Sequence, residues 1–223
     1  MINNIYKYLS QIEWKISDNL IDFDGAYNFM EDRVSKIINQ KKSEMIWLLE
    51  HKDVYTAGIS SKETDLLNKT NIPVFKTNRG GKYTYHGPNM KIIYLMLDLK
   101  KFFYPNSPDI AVFVNFLENW IIDILAEFKI KGEIRKDRVG IWVKNEISEE
   151  KIAAIGIKVK KWVTYHGISI NLAPDLTKFN NIVPCGISDF GITSFAKLGI
   201  NNFSNIDQLI KEKFNQKFLE FKS

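Results

Sequence analysis

A single cysteine, Cys185, among 223 residues excludes an internal disulfide framework and any zinc or iron–sulfur site built on several thiolates. The first residues, Met1-Ile2-Asn3-Asn4-Ile5-Tyr6-Lys7, lack a basic region followed by an apolar one, so no secretory leader is expected. No bilayer-spanning run is evident either. The greasiest stretch, Ile110 to Ile130, is broken by Asn115, Glu118, Asn119, Asp123 and Glu127. Repeats, low-complexity linkers, a phosphate loop ending in Lys-Ser/Thr and a GxGxxG dinucleotide fingerprint are all missing. These absences predict a cytoplasmic protein organised as one domain over residues 1–223. What is present fits that reading: hydrophobic residues make up 45% and aromatics 13%, too apolar for a disordered chain. The excess of 31 Lys+Arg over 26 Asp+Glu, a net charge of +5, suits an acidic partner but is far from that of an arm-type nucleic-acid binder.

Periodicity predicts mixed strands and helices. Apolar residues at three- and four-residue spacing mark helices over about 24–40, from Asp109 through Leu125, and over about 205–221 with Ser204 or Asn205 as cap. The stripe of the middle helix is read as Val112, Phe113, Phe116, Leu117, Trp120, Ile121 and Leu125. Strands are expected at Glu44 to Leu49, Pro73 to Thr77, Lys91 to Leu99, 133–144, Lys151 to Lys160 and Ile168 to Leu172. In the fourth, Val139, Ile141 and Val143 share a face. In the fifth, Ile155, Ile157 and Val159 face one way and Lys158 and Lys160 the other. Without regular βαβ alternation, the fold class is α/β in the broad sense: an α+β mixed sheet flanked by helices, not a Rossmann or barrel layout.

Three glycine-containing stretches carry the chemistry. Arg79-Gly80-Gly81-Lys82-Tyr83-Thr84-Tyr85-His86-Gly87-Pro88 could let backbone N–H groups approach a ligand, although Gly-Gly before a strand is more often a hairpin turn. Lys151-Ile152-Ala153-Ala154-Ile155-Gly156 is followed by Thr164-Tyr165-His166-Gly167, which repeats Thr84-Tyr85-His86-Gly87 and suggests two strand ends facing one pocket. Taken alone, Lys151 reads as a solvated surface group and His166 as a packing residue. Carboxylates at ligand spacing are not evident, so no metal is expected. Ile182-Val183-Pro184-Cys185-Gly186-Ile187 places the sole cysteine between Pro and Gly. A single thiol is usually inert, but a turn can present it, and a cation (Lys151, His86 or His166) could draw out its thiolate.

Taken in order, these stretches resemble the lipoyl(octanoyl) transferase family of lipoate biosynthesis. The resemblance runs over residues 45–195 and includes Leu48-Leu49-Glu50-His51, Val54-Tyr55-Thr56-Ala57-Gly58, Gly140-Ile141-Trp142-Val143, Asn171-Leu172, Asp175-Leu176, Phe179 and Thr193-Ser194. It implies the biotin/lipoate protein ligase-like (class II synthetase-like) fold and a cysteine/lysine acyltransferase, an octanoyl-[acyl-carrier-protein]:protein N-octanoyltransferase. By matching position, Cys185 would be the acyl-thioester nucleophile and Lys151 its acid/base partner. Arg79, Gly80, Gly81, Lys82, Tyr83, Thr84, Tyr85, His86, Ala154, Ile155, Gly156, Gly167, Ile168 and Ser169 would line the acyl pocket, with Tyr83, Tyr85 and Ile155 as walls. Two departures bear on loop shape: His86-Gly87-Pro88-Asn89-Met90 replaces His-Gly-Pro-Gly-Gln, and His51-Lys52-Asp53 replaces His-Pro-Pro.

The implied donor is octanoyl-acyl carrier protein. The implied acceptors are lipoyl domains of 2-oxoacid dehydrogenase E2 subunits and glycine cleavage H protein, with no cofactor, nucleic acid or membrane. The oxyanion donors, near Gly81, Gly156 or Gly186, are left open. An ATP-dependent lipoate or biotin protein ligase shares the fold and would use Arg79-Gly80-Gly81 for an adenylate without a cysteine nucleophile. A basic binding domain would instead use Lys158, Lys160 and Lys161 on nucleic acid, but no motif for that is present.

Overall fold

Met45, Trp47 and Leu49 fall on one side of a strand, Ile46 and Leu48 on the other, and all five are buried. A two-residue period without a polar face is the pattern of a strand covered on both sides. The computed structural model of the protein describes residues 2–68, 70–145, 148–183 and 190–223. In chain order its elements are α1 (Ile2–Gln11), β1 (Glu13–Ile21), α2 (Phe23–Ile38), β2 (Met45–His51) and β3 (Val54–Ala57). Then come β4 (Val74–Lys76), β5 (Tyr83–His86), β6 (Met90–Met96), α3 (Leu99–Phe103) and α4 (Ile110–Glu127). The remainder is β7 (Gly132–Arg135), β8 (Arg138–Lys144), β9 (Glu149–Lys160), β10 (Val163–Asn171), β11 (Gly191–Ile192) and α5 (Ile206–Lys222).

The large sheet runs β1-β2-β6-β10-β9-β8-β7, with β11 alongside β9, and a second sheet runs β4-β3-β5. In the large sheet β1 is parallel to β2 and β11 to β9, whereas the central pairs are antiparallel. Ile46, Leu48, Ile93, Leu95, Ile168 and Ile170 face a core closed by α4 and α5. Trp47, Leu49, Ile92, Tyr94 and Tyr165 face the opposite side, where α2 and the small sheet pack. Asp109 caps α4 by accepting from the amides of Ala111 and Val112. Asn205 sits at the cap of α5 but makes no side-chain capping bond.

Several expectations need correction. Val112 is 42% exposed, and Ile124 takes its place in the buried stripe of α4. The expected Val139/Ile141/Val143 face is broken: Gly140 has φ 117°, the β8–β9 register shifts between Ile141 and Trp142, and Val139 is half exposed. The strand expected through Leu99 ends at Met96, because Asp98 caps α3. Among the described residues, no helix is long and apolar enough to cross a membrane.

Candidate functional site

A cleft opens on the α2 side of the large sheet, with ≈ 550 Å³ of empty space including its mouth. Its walls come from the 79–84 loop and His86, from Ala154 to Gly156 on β9, and from His166 to Ser169 on β10. Of the residues expected to line an acyl pocket, Tyr85 does not reach it. Alternation along β5 sends Thr84 and His86 into the cleft and Tyr85 behind it. There the Tyr85 hydroxyl donates to Asp53 at 2.6 Å and its ring packs on Tyr55 and Phe179. Phe23, Ile92 and Tyr94 complete the lining instead. Tyr94 carried a usable signal, since it alternates with buried apolar positions of β6. Phe23, at the start of α2, carried none.

Arg79 holds the loop together. Its guanidinium donates to the Thr56 carbonyl (2.7 Å), the Thr56 hydroxyl (2.8 Å) and the carbonyls of Lys82 (2.8 Å) and Gly80 (2.9 Å). The Gly80 amide reaches Ile157 O at 3.2 Å, which fastens the loop to β9. Gly81 sits at φ 88°, a region that a side chain would strain. The glycine pair thus bends a loop over the cleft and does not close a simple hairpin.

All three histidines of the chain converge here. Imidazole Nδ1 of His51 lies 2.8 Å from Ile21 O and so is the protonated nitrogen; its Nε2 then accepts from the Tyr94 hydroxyl at 2.6 Å. Burial lowers the pKa of His51 to about 4 and, with help from Arg79, that of His166 to about 3. Burial, then His51, Arg79 and His166, hold His86 well below the usual range, and its Nδ1 is buried without a hydrogen-bond partner. His166 reaches the cleft because its left-handed backbone (φ 59°) breaks the alternation of β10. The two Tyr-His-Gly segments therefore face one pocket, one from a strand end and one from mid-strand. Among the described residues, no cluster of three or more His, Cys, Asp or Glu is arranged to hold a metal ion.

Lys151 is buried (4% exposed), contrary to the solvated position its local sequence suggested. It borders a small cavity that shares Thr84, Ala154 and Ser169 with the main cleft. Its ammonium donates to Val139 O at 3.1 Å and lies 4.7 Å from the Trp142 ring. The neighbouring carboxylates are engaged elsewhere: Glu149 with Arg135 and Arg138, Glu150 with Lys197. Cys185 lies outside the described residues. The chain on either side of it is anchored, Val183 N to Asp65 O at 2.8 Å and Ile192 paired with Lys151.

A model of the lipoyl protein ligase A/B catalytic domain matches residues 24–218. The chain is 47% identical over 207 residues to an octanoyltransferase of Wolbachia pipientis subsp. Culex pipiens (strain wPip), covering 92% of this chain and 99% of the relative. The chain belongs to this family. An octanoyltransferase of Parvibaculum lavamentivorans (strain DS-1) is 49% identical over 211 residues, with 92% of each chain covered. As a member of the octanoyltransferases the protein is an enzyme, an acyltransferase. The bi-partite lipoate protein ligase of Thermoplasma acidophilum superposes with a TM-score of 0.66 at 11% identity, over 94% of this chain and 84% of that one. That likeness fixes the fold as the class II synthetase-like fold of lipoate and biotin ligases.

Proposed function

We propose that this octanoyltransferase moves an octanoyl group from octanoyl-acyl carrier protein to a lysine of a lipoyl domain, in two steps through Cys185 and Lys151. Lys151 carries the reading: a buried ammonium with neighbouring carboxylates engaged elsewhere, on a small cavity that shares Thr84, Ala154 and Ser169 with the cleft lined by Ile92, Tyr94 and Ile155. A thiolate is a fitting counter-charge for such a group. Ile192, seven residues after Cys185 in the sequence, pairs with Lys151, which supports assigning Cys185 and Lys151 to one step.

In the first step the Cys185 thiolate attacks the thioester carbonyl. The bond from carbon to the carrier's sulfur breaks, and the Lys151 ammonium gives its proton to the departing thiolate. Neutral Lys151 then takes a proton from the incoming acceptor ammonium. The acceptor amine attacks the acyl-enzyme, and the adduct gives up its remaining ammonium proton to solvent. The bond from carbon to the Cys185 sulfur breaks, an amide forms, and Cys185 leaves as thiolate with Lys151 protonated again. Each methylene of the chain buried in the cleft contributes about 0.8 kcal/mol. The thioester is already activated, so the reaction needs no ATP. Acceptors are the lipoyl domains of 2-oxoacid dehydrogenase E2 subunits and of glycine cleavage H protein, and the reaction runs in the cytoplasm.

Intact-mass analysis after mixing with octanoyl-carrier tests the reading. An octanoyl adduct on Cys185, lost in Cys185→Ser and slowed in Lys151→Met, supports it. Amide formation by Cys185→Ser at the wild-type rate, or strict dependence on ATP, sinks it.

A further inference from the structure

Two successive rungs of the large sheet form the floor of the cleft. In one, Ala154, Ser169 and Ile92 lie side by side on β9, β10 and β6; in the next, Gly156, Gly167 and Tyr94 do. The rungs are about 7 Å apart along the strands. The first shares Ala154 and Ser169 with the small cavity that Lys151 borders. The second is bare backbone at its two glycines. A Cβ on Gly156 would stand 3.3 Å from both Arg79 Cδ and Gly80 O, so a side chain there would close the space between floor and loop.

At the second rung the cleft meets a closed ring of five aromatic side chains. Between ring centroids, Phe23 lies 5.4 Å from His51, His51 5.7 Å from Tyr94, and Tyr94 6.3 Å from His166. His166 lies 5.7 Å from Tyr27, and Tyr27 6.2 Å from Phe23, which closes the circuit. Phe23, Tyr94 and His166 line the cleft, whereas His51 and Tyr27 do not. Polar atoms of the ring are engaged. His51 bridges Ile21 O and the Tyr94 hydroxyl, the Tyr27 hydroxyl donates to Glu31 at 3.3 Å, and His166 Nε2 lies 3.4 Å from Asn78 Oδ1. Phe75 packs on Phe23 at 5.3 Å, and Phe23 itself is 6% exposed.

We propose that Phe23, backed by this aromatic ring, is the stop that sets how long an acyl chain the cleft accepts, and so determines specificity. The inference rests on the reading that acyl transfer takes place at Lys151. A chain whose carbonyl lies at the Lys151 cavity runs over the two glycines and brings its methyl end against Phe23 and Tyr94. An extended octanoyl chain is roughly 9 Å from carbonyl carbon to methyl, enough to pass from the first rung to the ring. Length can be read only against a wall that does not yield. Linked aromatic contacts supply one, and His51 stiffens it. The same imidazole holds the Tyr94 hydroxyl and the carbonyl of Ile21, two residues ahead of Phe23. A longer chain must displace Phe23 or leave methylenes outside the cleft. A shorter one leaves a void whose lining loses its contacts.

The experiment is a competition. Hexanoyl-, octanoyl- and decanoyl-carrier are mixed at equal concentration with a lipoyl domain, and the amide products are counted by intact mass. Product ratios report ratios of kcat/KM, which a variant that merely lowers the folded fraction leaves unmoved. Wild type should favour octanoyl. Phe23→Ala should raise the decanoyl-to-octanoyl ratio by about tenfold or more, the worth of a methylene admitted or refused by an apolar pocket. Phe23→Leu leaves less of a cavity, should move the ratio in the same direction, and serves if Phe23→Ala folds poorly. Phe23→Trp should move selection the other way and raise hexanoyl over octanoyl. Opposite shifts from smaller and larger side chains are expected only of a residue that the tail touches. Wild-type ratios in both Phe23→Leu and Phe23→Trp overturn the inference and leave acyl transfer at Lys151 standing. No amide from wild type with any of the three donors, or wild-type rates in Lys151→Met, overturns both.

Discussion

The two faces of the large sheet are built from the same strands and do opposite things. On the α4/α5 face the contacts are almost wholly apolar: Phe102 meets Phe113 at 5.1 Å and Phe218 at 4.9 Å, and Trp120 meets Phe214 at 5.1 Å. The indole N–H of Trp120 is satisfied by Ile210 O at 3.1 Å. Across the sheet, β2, β6, β9 and β10 present His51, Tyr94, Lys151 and His166 to the cleft side, all nearly or wholly buried. Burying those groups costs desolvation energy that packing on the first face must outweigh. Stability therefore rests chiefly on the apolar face, and one face should tolerate change with little effect on the other.

The sharpest way to break that division is to exchange one residue from each face. Lys151→Met should lower kcat/KM by about 10³-fold, a typical loss for an acid/base group, with Tm unchanged or raised, since a buried ammonium gives way to an apolar chain. Trp120→Ala should do the reverse, costing about 3–5 kcal/mol of stability while activity per folded molecule stays at the wild-type level. Thermal melts and initial rates on both variants check this. A Lys151→Met melt as depressed as that of Trp120→Ala would erase the distinction.

Acid separates the faces more gently. Ordinary histidine titrates near 6.5, whereas His51 and His166 in the fold titrate at about 4 and about 3. Below about pH 6.5 the unfolded chain takes up protons that the folded chain refuses, so stability falls as pH falls, until each folded pKa is passed. The slope approaches about 1.4 kcal/mol per pH unit for each histidine. Glu44 works the other way. Burial raises its pKa to about 7, so its contribution favours the fold at low pH and is lost as pH rises through that value. Urea midpoints at pH 7, 6 and 5 should therefore fall, more steeply in Glu44→Gln and less steeply in His51→Gln. A flat wild-type series counts against neutral buried histidines.

The apolar face was the more legible in sequence. Phe113, Phe116, Leu117, Trp120 and Ile121 repeat at helical spacing, and only Val112 misled, because one exposed turn fits the same period. The edge strand β1 was not expected: Ile16 and Leu20 are exposed, so no alternation marks a buried side. Of the small sheet, β4 was expected as a strand and β5 only as a strand end at Thr84 to His86, since its strands are three or four residues long. On the cleft side, glycine-bearing stretches named the loop and both histidines. Tyr85 was misplaced because spacing reads residue type but not which way a four-residue strand is turned. Lys151 looked solvated beside Glu149 and Glu150, and its burial depends on β8 and β11 covering β9.

The smallest effect is expected at the rim of the cleft side, where β9 turns into β10. Lys161 (φ 49°) and Trp162 (φ 68°) form a two-residue hairpin turn in the left-handed region, where Asn-Gly is the usual choice. Trp162 is 37% exposed, and its carbonyl is held by the Leu99 amide at 2.8 Å, so the tip is fixed while its side chains face outward. Lys158 and Lys160 stand just before it, and Gly80 is tied to Ile157 beside them, which links this rim to the cleft loop. An acidic carrier protein delivering the acyl chain over that loop would meet these lysines first. Rim charges act mainly on association and are screened within about 10 Å at 0.1 M salt. Lys158→Glu combined with Lys160→Glu should therefore lower carrier-dependent kcat/KM by about threefold to tenfold at low ionic strength. The gap should close near 0.5 M salt, with kcat at saturating donor and Tm unchanged. If the low-salt rate matches wild type, the carrier docks elsewhere, and the lysines are only the solvated edge of β9.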